Sequence, residues 1–256
     1  MTPVSPALAA LAIGDDGEPL IRWDWIRRNL SDDILSALKE HLILSFTPIL
    51  LGLVIALPLG IACARWRRLY GPVLAVTSVL YALPSIALFV VLVAFSGLTY
   101  TTVVVPLTLY TLSVLVPSVV DGLGSVPAHV RQSAVAMGFG ELRRLVQVDL
   151  PIALPVVMAG LRVATVSNIS LVSVGALIGI GGLGELFTDG LRRDFPTPLV
   201  VGIVLIITLA LLSDLILLLI QRLLTPWERA RATRRKNRGQ SRDRDRVPAA
   251  REGETA

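Results

Sequence analysis

The sequence contains very few of the side chains from which metal sites and nucleophilic active sites are usually built. Among 256 residues there is one cysteine, Cys63, and there are two histidines, His41 and His129, which lie far apart in the chain. A single cysteine forms no intrachain disulfide and no cysteine-based metal site. So few His and Cys side chains leave little material for zinc binding or for a Cys/His catalytic pair. We therefore expect no catalytic residue, no metal site and no cofactor.

Charged residues are also scarce, and this favours a membrane protein. They make up 17% of the chain, whereas 54% of the residues are hydrophobic. Soluble domains have about 25% charged and about 45–50% apolar residues. The net charge of +5 comes entirely from residues 226–256, which hold ten basic and five acidic side chains. The remainder of the chain is neutral, so we expect no nucleic-acid partner and a lipid bilayer as the surroundings.

Five apolar stretches are long enough to cross a bilayer, which takes about 20 residues. They lie at about 42–64, 72–95, 101–120, 151–178 and 198–222. Backbone groups in hydrocarbon must be hydrogen-bonded internally, so each stretch is predicted to be a helix. The predicted fold is all-α and integral to the membrane. Its domains are an N-terminal segment with an interfacial helix (1–37), a transmembrane domain (38–225) and a disordered basic tail (226–256).

Arginine placement predicts the orientation. Arg65, Arg67 and Arg68 lie in the short loop after the first span, and the tail is rich in arginine, whereas the loop 96–100 has no basic residue. Basic residues are concentrated in cytoplasmic loops. We therefore expect the N-terminus outside and the C-terminus in the cytoplasm.

The only long polar loop between spans covers residues 121–150. Val130, Ala134 and Met137 recur at helical spacing, and Gly138 and Gly140 mark a turn before a second helix at about 141–149, which Pro151 is expected to end. Two short amphipathic helices on one face of a membrane protein are suited to docking in a groove of a partner.

The loop resembles that of permease subunits in binding-protein-dependent ABC importers, which share a pattern of Glu-Ala-Ala, three residues, Gly, nine residues, Ile, one residue and Leu-Pro. The spacing is the same here, although Gln132, Ser133 and Val148 replace Glu, the first Ala and Ile. The matching positions are Gln132, Ser133, Ala134, Gly138, Val148, Leu150 and Pro151. The resemblance implies a type I importer domain in which this loop contacts a cytoplasmic ATPase. The loss of the Glu leaves any salt bridge from that position in doubt.

Other motifs resemble the osmoprotectant subfamily. They are Tyr81-Ala82-Leu83-Pro84-Ser85-Ile86-Ala87-Leu88, the glycine-rich run Ile178–Leu186 and the ending Gln221–Trp227. The resemblance implies import of glycine betaine, carnitine or choline across the cell membrane. It also implies four kinds of partner: a cytoplasmic ATPase dimer, a second permease copy or a homologous permease, an extracytoplasmic binding protein and the bilayer. A permease for methionine or another amino acid is an alternative. The glycine run also fits a dinucleotide-binding pattern, but no predicted strand precedes it.

Several polar residues lie within the predicted spans and are candidates for the pathway or for helix packing: Arg162, Ser167, Asn168, Ser170 and Asp214. An unpaired charge in a membrane is costly, so Arg162 and Asp214 are expected to pair or to line a wet vestibule. An ion-coupled secondary transporter, which needs carboxylates at mid-membrane, is a further alternative for which Asp214 is the only candidate. With 5% aromatic residues, the spans show no aromatic cluster for a quaternary amine.

Overall fold

The computed structural model describes residues 21–227, which are helical with no β-strand among them. The basic tail, apart from Pro226 and Trp227, lies outside the described residues, and so does the beginning of the N-terminal segment. Ten α-helices follow one another in the described part: α1 (Trp23–Asn29), α2 (Leu35–Arg65), α3 (Arg67–Ala82), α4 (Ser85–Ser96), α5 (Tyr100–Gly124), α6 (Ala128–Ala136), α7 (Glu141–Arg144), α8 (Leu150–Val172), α9 (Glu185–Arg192) and α10 (Pro196–Leu224).

The all-α membrane architecture is confirmed. Four helical stretches in 21–227 are long and apolar enough to span a bilayer, or five when the bent pair α3 and α4 is taken as one span. The long helix α10 has few buried residues, and most of its large apolar side chains are exposed. Such a surface is suited to lipid, where apolar side chains need no cover by protein.

The predicted N-terminal interfacial helix is not a separate element. Helices α1 and α2 form one continuous stretch, Trp23–Arg65, joined through a π-helical turn at Leu30–Ile34. Neither glycine nor proline occurs between Trp23 and Thr47, so nothing in the sequence breaks the helix at the predicted boundary of 37 and 38. Trp25 packs edge-on against Phe195, with 5.7 Å between the ring centroids, and this contact holds the start of the helix against the start of α10.

The second predicted span, 72–95, is two helices rather than one. Helix α3 ends at Ala82, α4 begins at Ser85, and their axes are bent by 93°. Leu83 and Pro84 between them are extended, with ψ of 138° and 130°. Proline removes a backbone donor and also disfavours the helical conformation in the residue before it, so the chain turns where the sequence has Leu83-Pro84.

Helix α5 is the centre of the fold and packs on α2, α3, α4 and α8. Close approach depends on small residues, because a side chain at Gly52 would overlap Thr111 and one at Gly160 would overlap Ser118. Phe89 of α4 and Leu107 of α5 are fully buried in one of the apolar clusters. Small residues therefore let α2 and α8 approach α5 closely, and α4 packs on α5 through larger apolar side chains.

The glycine-rich run after α8 is a packed turn. Residues Ile180–Gly184 are buried, and the turn lies directly on α2. Gly182 has a φ of +51°, and a Cβ there would lie 2.6 Å from the backbone nitrogen of His41. The buried His41 ring lies between two carbonyl oxygens, with Nε2 at 2.9 Å from Ile169 O and Nδ1 at 3.4 Å from Gly181 O. His41 thus joins α2 to α8 and to the turn.

Candidate functional site

The polar loop begins with α6, whose end is fixed by Gly138. This residue has a φ of +80°, a left-handed conformation that favours glycine. Its N–H donates to Val135 O at 2.9 Å, and the N–H of Phe139 donates to Ala134 O at 3.1 Å. These two bonds form a Schellman motif, which terminates a helix and turns the chain. Gly138 therefore sets the direction in which the chain leaves α6.

The second helix of the loop does not end at Pro151, contrary to the prediction. Helix α7 runs through a π-helical turn, Leu145–Asp149, directly into α8. Pro151 is the second residue of α8 and follows directly on this π-helical turn. The π turn before it accommodates the ring without breaking the helix. The second half of the loop and the fourth span thus form one stretch, Glu141–Ile178, so that a displacement of α7 is passed to the membrane helix.

Asp149 joins three parts of this region. Its side chain is 7% exposed, and its two oxygens lie 3.2 Å from Arg131 Nε and 3.5 Å from Arg144 Nε. Arg131 also donates a hydrogen bond to Leu123 O near the end of α5. One buried carboxylate therefore connects α6, α7 and the start of α8, and Arg131 extends the connection to α5. We call this group, Leu123, Arg131, Arg144 and Asp149, the Asp149 cluster.

A second, more exposed ion pair connects the loop to the first span. Arg65 Nη1 lies 2.6 Å from Glu141 Oε2, and both side chains are more than half exposed. These residues and the Asp149 cluster line a cavity of about 340 Å³. The loop is thus attached to the end of α2 by this ion pair and to the end of α5 by the hydrogen bond from Arg131 to Leu123 O.

The residues of the importer motif differ in where they lie. Gln132, Ser133 and Gly138 are exposed; Ala134 is buried; Val148, Leu150 and Pro151 are half-buried. The exposed members include the altered positions Gln132 and Ser133, and Ser133 Oγ donates to His129 O within α6.

Four large apolar side chains of the loop are exposed, and we call them the loop patch: Val135, Met137, Leu142 and Val146, which are 55%, 69%, 74% and 55% exposed. Leu142 and Val146 are about one helical turn apart, so they share a face. A contiguous group of exposed apolar side chains is typical of a surface that another protein covers.

Arg162 of α8 and Asp214 of α10 form an ion pair. This is one of the two arrangements expected from the sequence. Arg162 Nε and Nη2 each donate to a different oxygen of Asp214, both at 2.7 Å. This is the two-point geometry in which arginine binds carboxylate most strongly. The pair joins the fourth span to the last one and neutralises both charges.

The other polar residues of α8 have different surroundings. Asn168 is buried and donates to Thr111 Oγ1 at 2.8 Å, which supports its role in packing α8 on α5. Ser167 is half-buried and Ser170 is exposed. Within 21–227 no three His, Cys, Asp or Glu side chains are close enough to hold a metal ion. The described residues thus form a set of membrane helices and one polar loop, which ion pairs and a hydrogen bond attach to those helices.

Comparison with known families gives a match over most of the chain. Residues 56–226 match the family model described as binding-protein-dependent transport system inner membrane component. The chain is 34% identical to the glycine betaine/carnitine/choline transport system permease protein OpuCD of Bacillus subtilis, over 75% of this chain and 85% of that protein. It is 35% identical to the osmoprotectant import permease protein OsmW of Salmonella typhimurium, over 73% of this chain and 89% of that protein. With the choline transport system permease protein OpuBD of Bacillus subtilis it shares 33% identity, over 77% and 88%.

Among solved structures, the fold is similar to a chain of the MetNI methionine ABC transporter in an inward-facing conformation. The TM-score is 0.70 at 23% identity, and the match covers 80% of this chain and all of that one. At this level of identity the likeness concerns the fold. It confirms the predicted architecture of a five-span importer transmembrane domain.

Proposed function

Because the chain belongs to the family of binding-protein-dependent transport system inner membrane components, we propose that it is the permease subunit of an ATP-driven importer for osmoprotectants. The substrates are small quaternary ammonium compounds such as glycine betaine, carnitine and choline. The observation that carries this proposal is the identity of 31–35% with osmoprotectant permeases over about three quarters of the chain. The subunit is a transport component, and ATP hydrolysis belongs to a separate ATPase.

The polar loop is the contact with that ATPase. The loop patch provides an apolar docking surface, and the Asp149 cluster holds the loop against α5 and α8. When the ATPase pair closes on ATP, the loop moves as one piece with the fourth span and opens the path outward. Two permease copies, or this chain and a homologous permease, enclose the path. A binding protein on the other side of the membrane delivers the substrate.

The proposed orientation has the polar loop and the C-terminus in the cytoplasm. This places Arg65, Arg67 and Arg68 inside, in agreement with the enrichment of basic residues in cytoplasmic loops. The glycine-rich turn and α9 then lie on the outer side, near the binding protein.

An ion-coupled secondary transporter is less well supported. Such a mechanism needs an intramembrane carboxylate that is free to exchange a proton or an ion. Asp214 was the only candidate, and both of its oxygens are bonded to Arg162. The fold is also similar to that of a chain from an ABC transporter.

ATP-dependent uptake tests the proposal. The permease is reconstituted in liposomes with its ATPase, and the substrate-loaded binding protein is added on the outer side of the membrane. With ATP and Mg²⁺ inside the liposomes, on the side of the ATPase, we expect radiolabelled glycine betaine or choline to accumulate inside. With a non-hydrolysable analogue in place of ATP, we expect no accumulation. Uptake that continues without ATP, or a permease that never associates with an ATPase, would contradict the proposal.

A further inference from the structure

The break between α3 and α4 leaves backbone carbonyls without partners. Leu83 N–H bonds to Leu80 O, and Tyr110 Oη donates to Leu83 O at 2.7 Å. Within the described residues, no backbone or side-chain donor reaches the carbonyls of Tyr81 and Ala82, the last two residues of α3. The last carbonyls of a helix carry partial negative charge. The end of α3 therefore presents two carbonyl oxygens with partial negative charge at the break.

Lipid cannot cover such a point. Non-helical backbone at membrane depth occurs only where protein buries it or where it lines a water-filled cavity. Tyr81 is 55% exposed and Leu83 is 42% exposed in the single chain. The exposed side of the break is therefore suited to an aqueous path or to a second permease subunit, rather than to hydrocarbon.

The Tyr81 ring is held in a defined position at this break. It packs against Tyr110 with 5.8 Å between the ring centroids and an angle of 88°. Tyr110 is buried and is fixed by its hydrogen bond to Leu83 O. In an edge-to-face pair each ring keeps at least one face free of the other ring. The two tyrosines are 29 positions apart in the chain, which is why no aromatic cluster was visible in the spans.

From this placement we infer that Tyr81 and the adjoining carbonyl end of α3 form a transient contact site for the quaternary ammonium group on its way through the permease. A quaternary ammonium ion has no N–H and is recognised by aromatic faces and by partial negative charges. The site has no carboxylate among these residues, so the contact is weak enough for release. The inference rests on the proposed function and names a specificity-determining residue for it.

Substitutions at Tyr81 test the inference in the complete complex of permease, ATPase and substrate-loaded binding protein in liposomes. We expect Tyr81→Leu to slow choline uptake about fivefold, the effect of losing one cation–π contact. Tyr81→Phe keeps the ring and stays within twofold of the wild type. Tyr81→Trp, with the strongest cation–π ring, is at least as fast as the wild type. ATP hydrolysis stays unchanged in all three, so that Tyr81→Leu hydrolyses more ATP per substrate carried.

Phe95→Leu is the matched control, because Phe95 is an exposed aromatic residue at the other end of α4. Its uptake rate should equal that of the wild type. Wild-type uptake by Tyr81→Leu, an equal loss in Phe95→Leu, or a loss in Tyr81→Trp at normal complex yield would overturn the inference. A wild-type complex that takes up no quaternary amine with ATP would instead overturn the proposed function, and with it the site.

Discussion

Replacing Asp149 with asparagine will uncouple the transporter: ATP-driven uptake falls more than tenfold, while the permease still binds the ATPase. The carboxylate is almost fully buried between Arg131 and Arg144. Removal of one partner from a buried ion pair leaves uncompensated charge and costs about 3–5 kcal/mol. The arginines here are partly exposed, so we expect a loss of about 2 kcal/mol, since solvent screens part of the effect.

The consequence for transport follows from what the cluster connects. Without the carboxylate, α6 loses its ion pair to the start of α8, whereas the hydrogen bond from Arg131 to Leu123 O remains. Movement of the loop is then no longer passed fully to the fourth span. The measurement is the number of ATP molecules hydrolysed per substrate transported, together with thermal unfolding in detergent.

Glu141→Gln is the matched control for Asp149→Asn. Glu141 also forms an ion pair from the same loop, but both it and Arg65 are more than half exposed. Exposed pairs contribute little to stability, because solvent screens them. Its uptake and stability should therefore remain close to wild type. Equal behaviour of Glu141→Gln and Asp149→Asn would show that the Asp149 cluster has no special part in coupling.

The second large effect is expected from breaking the pair between Arg162 and Asp214. Asp214→Leu leaves the guanidinium of Arg162 alone between α8 and α10. A single unpaired charge near the centre of a membrane helix costs about 2.5–3.5 kcal/mol on insertion scales. We expect at least a tenfold loss of folded permease in the membrane and a matching loss of uptake.

The double variant Arg162→Leu/Asp214→Leu tests whether the unpaired charge, rather than the loss of the Asp214 side chain itself, causes the defect. Replacing both members of an ion pair with apolar residues is often neutral or stabilising. The amount of folded protein should therefore return to near wild type, and the charge swap Arg162→Asp/Asp214→Arg should recover part of the uptake. A double variant as poorly folded as Asp214→Leu would contradict pairing as the reason for the two charges. The readout is fluorescence-detected size-exclusion chromatography with uptake on the same samples.

Hydropathy alone predicted the all-α membrane fold, because a span of about 20 apolar residues is a property of the local sequence. The bend at Leu83-Pro84 was missed, since the run 72–95 is apolar throughout and an average over such a window gives no weight to one proline. Continuity from Trp23 to Arg65 was missed for the opposite reason: the charges before the first span suggested a separate segment. Pro151 was expected to end a helix, but the π-helical turn directly before it allows the helix to continue.

The candidate site, too, was predicted only in part from the sequence. The spacing from Gln132 to Pro151 located the loop, and the cost of an unpaired charge predicted a partner for Arg162. Asp149 was not identified, because its importance comes from Arg131 and Arg144, which approach it only when the loop folds. Tyr81 and Tyr110 lie on different helices, so their contact depends on how α3 packs against α5. Contacts between elements that are distant in the chain could not be predicted, because the local sequence pattern does not specify how those elements pack.

The most direct test of the central claim is whether the loop patch holds the ATPase. The variant Val135→Asp/Met137→Asp places two charges on this exposed apolar surface, and Leu191→Asp, which alters an equally exposed residue of α9, is the matched control. Immobilised permease is incubated with the ATPase, and the bound ATPase is quantified beside ATP-driven uptake. The account predicts that the loop variant loses at least 90% of both, whereas Leu191→Asp retains the ATPase. Full ATPase binding by the loop variant would contradict it.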